Sequence, residues 1–462
     1  MDGPIVVCDL ATLRTLTSRR DFLRLVAMGG AVVLSGGYLA GCEDSANAGG
    51  LTGPGTGATL TIDFSGGDAA LWRFLFLLEQ LEADFYGRVV ANFSTSDFTS
   101  ADQLVLTDIA NHEAVHRDVI GSLLAADGNF TITPLYGSLT FRLRADTLAV
   151  ARDLKDVVVG AYQGIAPYFT DTANLALANK FASVEARHSA AIRDLITPLA
   201  STFAPSAFEL ALTPTVVATA VQPLLQDKLA FASAPPSFST SNSTSANSQA
   251  AADVVEALQT CLLVSALQAD FYRRGLGVTG LIPSADVTVF TTTLSHETSH
   301  VSALQSLITS RGAVPRTAPV FDFSAKANLP GFSFLPTQYT TFAMLAQALE
   351  DLGVRTWKGQ LATLAQDKGA LTSGLSMHAV QGRHACEVRR LRGKKGWITG
   401  NNRDDLPAFM QAVYNGEENT LQGSVNALSL AGAVGGSTTV TEAFDEALTT
   451  ANAMAFIALF LP

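Results

Sequence analysis

The chain is 462 residues long, 48% apolar and 15% charged, with a formal charge of −11. That acidic balance excludes nucleic acid as a partner, because phosphate binding rests on clustered Lys and Arg. The length leaves room for two or three domains with a large buried core, and the four Cys give neither a disulfide framework nor a zinc-finger spacing.

The first 42 residues read as an export signal. Ser18-Arg19-Arg20-Asp21-Phe22-Leu23 precedes an uncharged apolar run from Leu25 to Ala40, the order of charge, hydrophobic core and small residues that marks such segments. The paired arginines resemble the twin-arginine signal. Leu39-Ala40-Gly41-Cys42 resembles a bacterial lipobox, which implies lipidation at Cys42 and a membrane tether in the periplasm or cell envelope. A transmembrane span is disfavoured, because the run from 25 to 40 contains four Gly and is shorter than the roughly 20 residues a span needs. Residues 43–65 then read as a flexible tether.

From Asp68 the pattern turns helical. Leu71, Phe74, Leu75, Leu78, Leu81 and Phe85 keep a 3.6-residue period, interrupted only by Glu79 and Glu82. A second helix runs from about Ser100 to Ala126 and carries His112-Glu113-Ala114-Val115-His116. A third spans about Asp146–Phe169 and a fourth Thr172–Leu199, which contains Glu185-Ala186-Arg187-His188. A shorter piece follows Ala207-Phe208-Glu209-Leu210-Ala211-Leu212-Thr213. Residues 233–250, rich in Ser, Ala, Pro and Asn, read as a linker.

The series then begins again. Ala83-Asp84-Phe85-Tyr86 returns as Ala269-Asp270-Phe271-Tyr272, and His112–His116 as His296-Glu297-Thr298-Ser299-His300. Leu154, Asp156 and Gly164 match Leu349, Asp351 and Gly359; Arg187-His188 matches Arg383-His384; and the tail returns as Ala443-Phe444-Asp445-Glu446-Ala447-Leu448-Thr449. Six of the seven His fall into matched pairs, only His378 standing alone. Ordered echoes of this kind predict a duplication: an all-α chain of two tandem four-helix bundles, residues 66–232 and 251–462, each with a C-terminal extra helix.

Two readings compete for the His-Glu-x-x-His stretch. Glu and His at i and i+3 share a helix face and can reach one metal ion; two His at i and i+4 can do the same with the Glu between them as a base. The second, a zinc peptidase, lacks its downstream ligand, since no Glu or His occurs between Arg117 and Val184. For the first, a dinuclear carboxylate site takes one Glu from each of two helices and a Glu-x-x-His pair from the other two. Glu113/His116 and Glu185/His188 supply the pairs, and Glu79, with Glu82 as fallback, supplies helix one. His112 then becomes a supporting neighbour.

This order of Glu, Tyr and two Glu-x-x-His pairs, with the Ala-Phe-Asp-Glu tail, resembles the ferritin-like superfamily, and its exported branch in particular, over about residues 66–460. The resemblance implies a bundle fold and, where ligands are intact, iron or manganese. The metal ligands expected are Glu79, Glu113, His116, Glu185 and His188 in the first unit, and Glu297, His300, Glu350 and His384 in the second. Departures are visible: Lys155 stands where the third helix should offer Glu, and Ser265, Gln268 and Gln381 stand where Glu79, Glu82 and Glu185 do. Metal binding is therefore expected more strongly in the first unit. Tyr86, Tyr162, Tyr272 and Trp357 are expected to pack the core, and Cys261 and Cys386 to be buried free thiols. Function divides between an exported metalloprotein with oxygen- or peroxide-linked redox chemistry and a non-catalytic envelope or stress-protection module; whether the chain is an enzyme stays open.

Overall fold

A computed structural model describes residues 57–235 and 248–462. The twin-arginine stretch, the lipobox with Cys42 and most of the linker lie outside the described residues.

The first unit is built on α1 (Asp68–Ala91), whose Leu71, Phe74, Leu75, Leu78, Leu81 and Phe85 are all buried, as a stripe of period 3.6 requires. α2 (Ser100–Gly128) starts at a reciprocal cap: Asp102 N–H donates to Thr99 Oγ1 (3.2 Å) and Thr99 N–H to the Asp102 carboxylate (2.9 Å), which satisfies end donors the helix cannot pair itself. α3 (Arg144–Ile165) and α4 (Thr172–Ile196) complete the bundle. α4 is capped by Asp171, which accepts from Ala173 N–H at 2.8 Å. The extra helix α5 (Pro214–Val221) follows, opened by Thr213 and a first-turn proline.

The second unit repeats the plan with α6 (Ser248–Leu276), α7 (Val287–Ser310), α8 (Tyr339–Leu364) and α9 (Lys368–Leu391). After α9 come a short helix α10 (Ser437–Glu442) and the extra helix α11 (Thr450–Ile457). The expected fold class, two tandem all-α four-helix bundles each with a C-terminal extra helix, is the one observed. α6 is also long and apolar enough to cross a membrane, but it is mostly buried against α7 and α8 and acts as a core helix.

Several boundaries differ from those read in the sequence, among them the third helix, which runs from Arg144 to Ile165 rather than from Asp146 to Phe169. Thr59–Ile62, placed in the tether, forms strand β1, paired in parallel with β2 (Lys228–Phe231) in the register Thr59↔Lys228. The alternation of Thr59-Leu60-Thr61-Ile62 lets Ile62 bury while Thr61 faces water. Residues 248–250, read as linker, already belong to α6. The fourth helix ends at Ile196, three residues before the expected Leu199.

Nothing in the sequence said how the bundles sit together, and the answer decides the site. α4 packs along α9, and buried apolar side chains of both units form one cluster. Across this seam Arg187 donates to Asp445 (2.9 Å) and Asp351 (3.0 Å), and Arg383 to Glu209 (2.7 Å) and Asp156 (3.4 Å). These are equivalent residues, so each unit sends the same arginine into the same pair of carboxylates of the other, the reciprocity of an isologous interface. Each tail also lies on its own third helix at a glycine: a Cβ on Gly164 would meet the Leu212 carbonyl at 1.8 Å, and one on Gly359 the Leu448 carbonyl at 2.0 Å. Only Gly lets the backbones approach so closely.

Candidate metal centres

In the first bundle Glu79, Glu113, His116 and Glu185 are brought together, one ligand atom from each lying within 4.8 Å of the others, and all four side chains are fully buried. α1 supplies Glu79, α2 supplies Glu113 and His116 one turn apart, and α4 supplies Glu185. His116 Nδ1 lies 3.0 Å from Glu185 Oε1, 3.4 Å from Glu79 Oε2 and 3.6 Å from Glu113 Oε2. None of these four atoms completes a hydrogen bond among the described residues. Buried polar atoms left in that state are costly.

Burial works to lower His116, but Glu113, Glu185 and Glu79 hold it well above the ordinary imidazole range, and its orientation suits a metal that would displace the Nδ1 proton. Its Nε2–H donates to the Ala443 carbonyl at 2.7 Å, which leaves Nδ1 as the atom turned to the carboxylates. Behind the cluster Tyr162 donates to Glu79 Oε1 at 2.5 Å. Tyr162 was expected to do no more than pack. It is buried, but its hydroxyl orients a ligand.

The other half of a dinuclear site is occupied by the protein itself. Lys155 Nζ, on α3, donates to Glu113 Oε1 and Glu185 Oε2 at 2.5 Å each and lies 3.0 Å from Glu82 Oε2. His188 Nδ1, an expected ligand, approaches that same Glu113 oxygen at 2.9 Å and stays outside the four-residue cluster. The ammonium therefore stands where a second cation bound by Glu82, Glu113, Glu185 and His188 would have to stand. A dinuclear centre does not fit the first bundle; a single cation does.

Burial and charge set the protonation of the group. Burial, together with repulsion from Glu185 and Glu113 and against the pull of His116, pushes Glu79 up to about 7. Glu82 is pushed well above the carboxylate range by burial, which Lys155 only partly offsets. For Glu113 burial is outweighed by the Lys155 ammonium and by contacts from His116 and His188, so it is held well below that range. His188 is pushed down to about 4 by burial and by Lys155.

The second bundle keeps the opposite half. Glu297, Glu350 and His384 converge within 4.8 Å, fully buried, and Glu350 occupies the position equivalent to Lys155. His384 Nδ1 lies 3.1 Å from Glu297 Oε1 and 3.5 Å from Glu350 Oε2, while Tyr272 donates to Glu350 Oε1 at 2.7 Å. Amides fill the other half. Gln381 Nε2 donates to Glu297 Oε1 (2.7 Å), and Gln268 Nε2 to Gln381 Oε1 (2.9 Å). The expected ligand His300 falls outside the three-residue cluster, its Nδ1 3.3 Å from Glu297 and its Nε2–H bonded to the Ala207 carbonyl at 2.6 Å. Burial works to lower His384, but its carboxylate partners raise it to about 9.

The peptidase reading does not survive the geometry. His112 Nδ1 shares a hydrogen bond with His188 Nε2 at 2.9 Å, and its Nε2 faces Glu442 at 3.5 Å. It does not converge with His116 on one point. His296 and His384 repeat the imidazole pair at 3.0 Å. Glu442, Ala443 and Trp397, whose ring stands edge-on to His112 and His188, were not read as site residues. They come from the other unit, so spacing within one bundle could not point to them.

The duplicated bundle and its convergent Glu and His residues define the class as a helical carboxylate-site protein. A family model for the ferritin-like domain matches residues 67–198 and again 253–394, more than half of the chain. The chain belongs to that family, with two copies of the domain. No curated protein and no solved structure matches it.

Proposed function

We propose that this chain is an exported, lipid-anchored ferritin-like metalloprotein whose first bundle binds one iron or manganese ion. Glu79, Glu113, His116 and Glu185 would hold the ion, and the carrying observation is that their four facing atoms are buried, convergent and without hydrogen-bond partners among the described residues. Three carboxylates and one imidazole are a donor set for iron or manganese rather than for a soft thiophilic metal. A bound ion of either kind supplies one-electron redox chemistry toward oxygen or peroxide.

The chain's own residues define the rest. Lys155 places a fixed positive charge beside the carboxylates where the family has its second metal, and Tyr162 and the Ala443 carbonyl orient Glu79 and His116. The full burial of the cluster excludes bulk water. Export and the anchor at Cys42 rest on the leader alone.

A second reading is supported for the second bundle. Its amides take up one oxygen of Glu297, leaving only Glu350 Oε2 and His384 Nδ1 unpartnered in the cluster among the described residues, which favours a structural, non-catalytic role there. Metal analysis of protein purified from its native host tests the proposal. Glu113→Ala should abolish most of the bound metal, whereas Glu297→Ala should leave most of it. Protein that carries no metal, or metal that both variants retain, would overturn it.

A further inference from the structure

The tail of each unit crosses to the other unit's histidines. In the second unit's tail, Glu442 Oε2 faces His112 Nε2 (3.5 Å), the Ala443 carbonyl accepts from His116 Nε2–H (2.7 Å), and the Phe444 ring packs on the His116 ring with centroids 5.6 Å apart. Asp445 then pairs with Arg187 at 2.9 Å. The first unit's tail makes the equivalent contacts: the Ala207 carbonyl with His300 (2.6 Å), Phe208 on the His300 ring (5.5 Å) and Glu209 with Arg383 (2.7 Å).

We propose that the Ala-Phe-Asp and Ala-Phe-Glu segments are exchanged positioning elements, so that the first bundle's metal site is complete only when the second unit's tail is seated on it. This rests on the metal-binding reading above. The physical reason is tautomer and orientation. A carbonyl fixed opposite Nε2 holds the proton there and aims Nδ1 at the carboxylates, and partners of this kind change metal affinity by about 10–100-fold when removed. The carbonyl belongs to a tail that is itself held down, by the Asp445–Arg187 pair and by Leu448 N–H donating to the Arg355 carbonyl at 3.0 Å. Occupancy of the first site therefore depends on a segment more than 300 residues away in sequence.

The test uses the full chain with Glu297→Gln, which leaves the first site alone to bind. Mn2+ affinity is measured by titration and electron paramagnetic resonance for Phe444→Ala, Phe444→Leu and Phe208→Ala. Phe444→Ala should weaken Mn2+ binding by about 10–100-fold, and Phe444→Leu should restore most of it. Phe208→Ala, whose ring stands on His300 instead, should change it by less than about twofold. Equal losses from Phe444→Ala and Phe208→Ala, or no loss from the former, would overturn the proposal.

A second readout needs no metal. The His116 Nε2–H proton, seen by 15N-edited NMR in metal-free protein, should be protected from exchange in the parent and in Phe208→Ala and lose protection in Phe444→Ala. If the parent binds no Mn2+ yet this proton behaves as stated, the metal reading has failed and the positioning role stands. If the proton is equally protected in all three, the positioning role has failed.

Discussion

Lys155 and Glu350 occupy the same place in the two halves of a duplicated chain, and around them the two bundles present opposite halves of a dinuclear carboxylate site. Lys155 Nζ is bonded to Glu113 and Glu185, whereas Glu350 carries a carboxylate into a cluster with Glu297 and His384. Each bundle converges its carboxylates and imidazole on the half that the other fills with an ammonium or with amides. Tyrosines follow the same division, Tyr162 backing Glu79 in one bundle and Tyr272 backing Glu350 in the other.

Removing the Lys155 charge should be expensive. Three buried carboxylates, Glu82, Glu113 and Glu185, surround it, and truncating one member of a buried ion group leaves the rest uncompensated at about 3–5 kcal/mol. Lys155→Met should lower the unfolding free energy of metal-free protein by that order in urea titrations. Added Mn2+ should return part of the loss, because a dication can take over the missing charge.

Restoring the second half of the first site should change its stoichiometry. In the Glu297→Gln background, Lys155→Glu replaces the ammonium by the carboxylate that the second bundle has at this position. Equilibrium dialysis against Fe2+ or Mn2+ should then rise from about one to about two ions per chain.

The amides of the second bundle can be reversed in the same way. Gln381 stands at the position of Glu185 and donates to Glu297. Gln381→Glu removes that donor and adds a third carboxylate, so Mn2+ affinity in a Glu113→Gln background should rise at least about tenfold, and thermal stability without metal should fall.

His378 predicts a pH dependence distinct from the metal sites. It is fully buried, neither ring nitrogen has a hydrogen-bond partner among the described residues, and burial, with Lys358 nearby, pushes it down to about 3. Between its ordinary value of 6.5 and about 3 the unfolded chain therefore carries a proton that the folded chain rejects. Its contribution to stability is complete above that window and is lost as pH falls through it, by about 1.4 kcal/mol per unit. Unfolding titrations at pH 7, 6 and 5 should show a steeper decline for the parent than for His378→Leu, since the equivalent position in the first unit is the apolar Ala182.

Much of this organisation could be read from residues alone. A 3.6-residue stripe placed the first helix, motif and breaker residues bounded the next three, and the ordered echoes and paired histidines exposed the duplication that supplies the other four. Lys155, Ser265, Gln268 and Gln381 announced that neither site was whole. What the residues could not give was which half survived, since helix spacing places a side chain on a face without saying which oxygen meets which cation. Nor could they show the exchange of tails: Ala443-Phe444-Asp445 was visible as an echo, but an echo has no address, and its address is the other bundle. The strand at Thr59–Ile62 was hidden for a related reason, because four residues beside a Gly-rich stretch become a strand only when Lys228–Phe231 arrives to pair with them.

The most direct measurement is anomalous diffraction from crystals of the full chain grown with Mn2+ or, anaerobically, Fe2+, recorded on either side of the metal's absorption edge. One peak should appear in the first bundle, about 2.0–2.3 Å from one atom each of Glu79, Glu113, His116 and Glu185, with the Lys155 ammonium still bonded to Glu113 and Glu185. Two peaks there with Lys155 displaced, or no peak while the four ligands stay in place, would contradict a single-cation site built beside a fixed lysine.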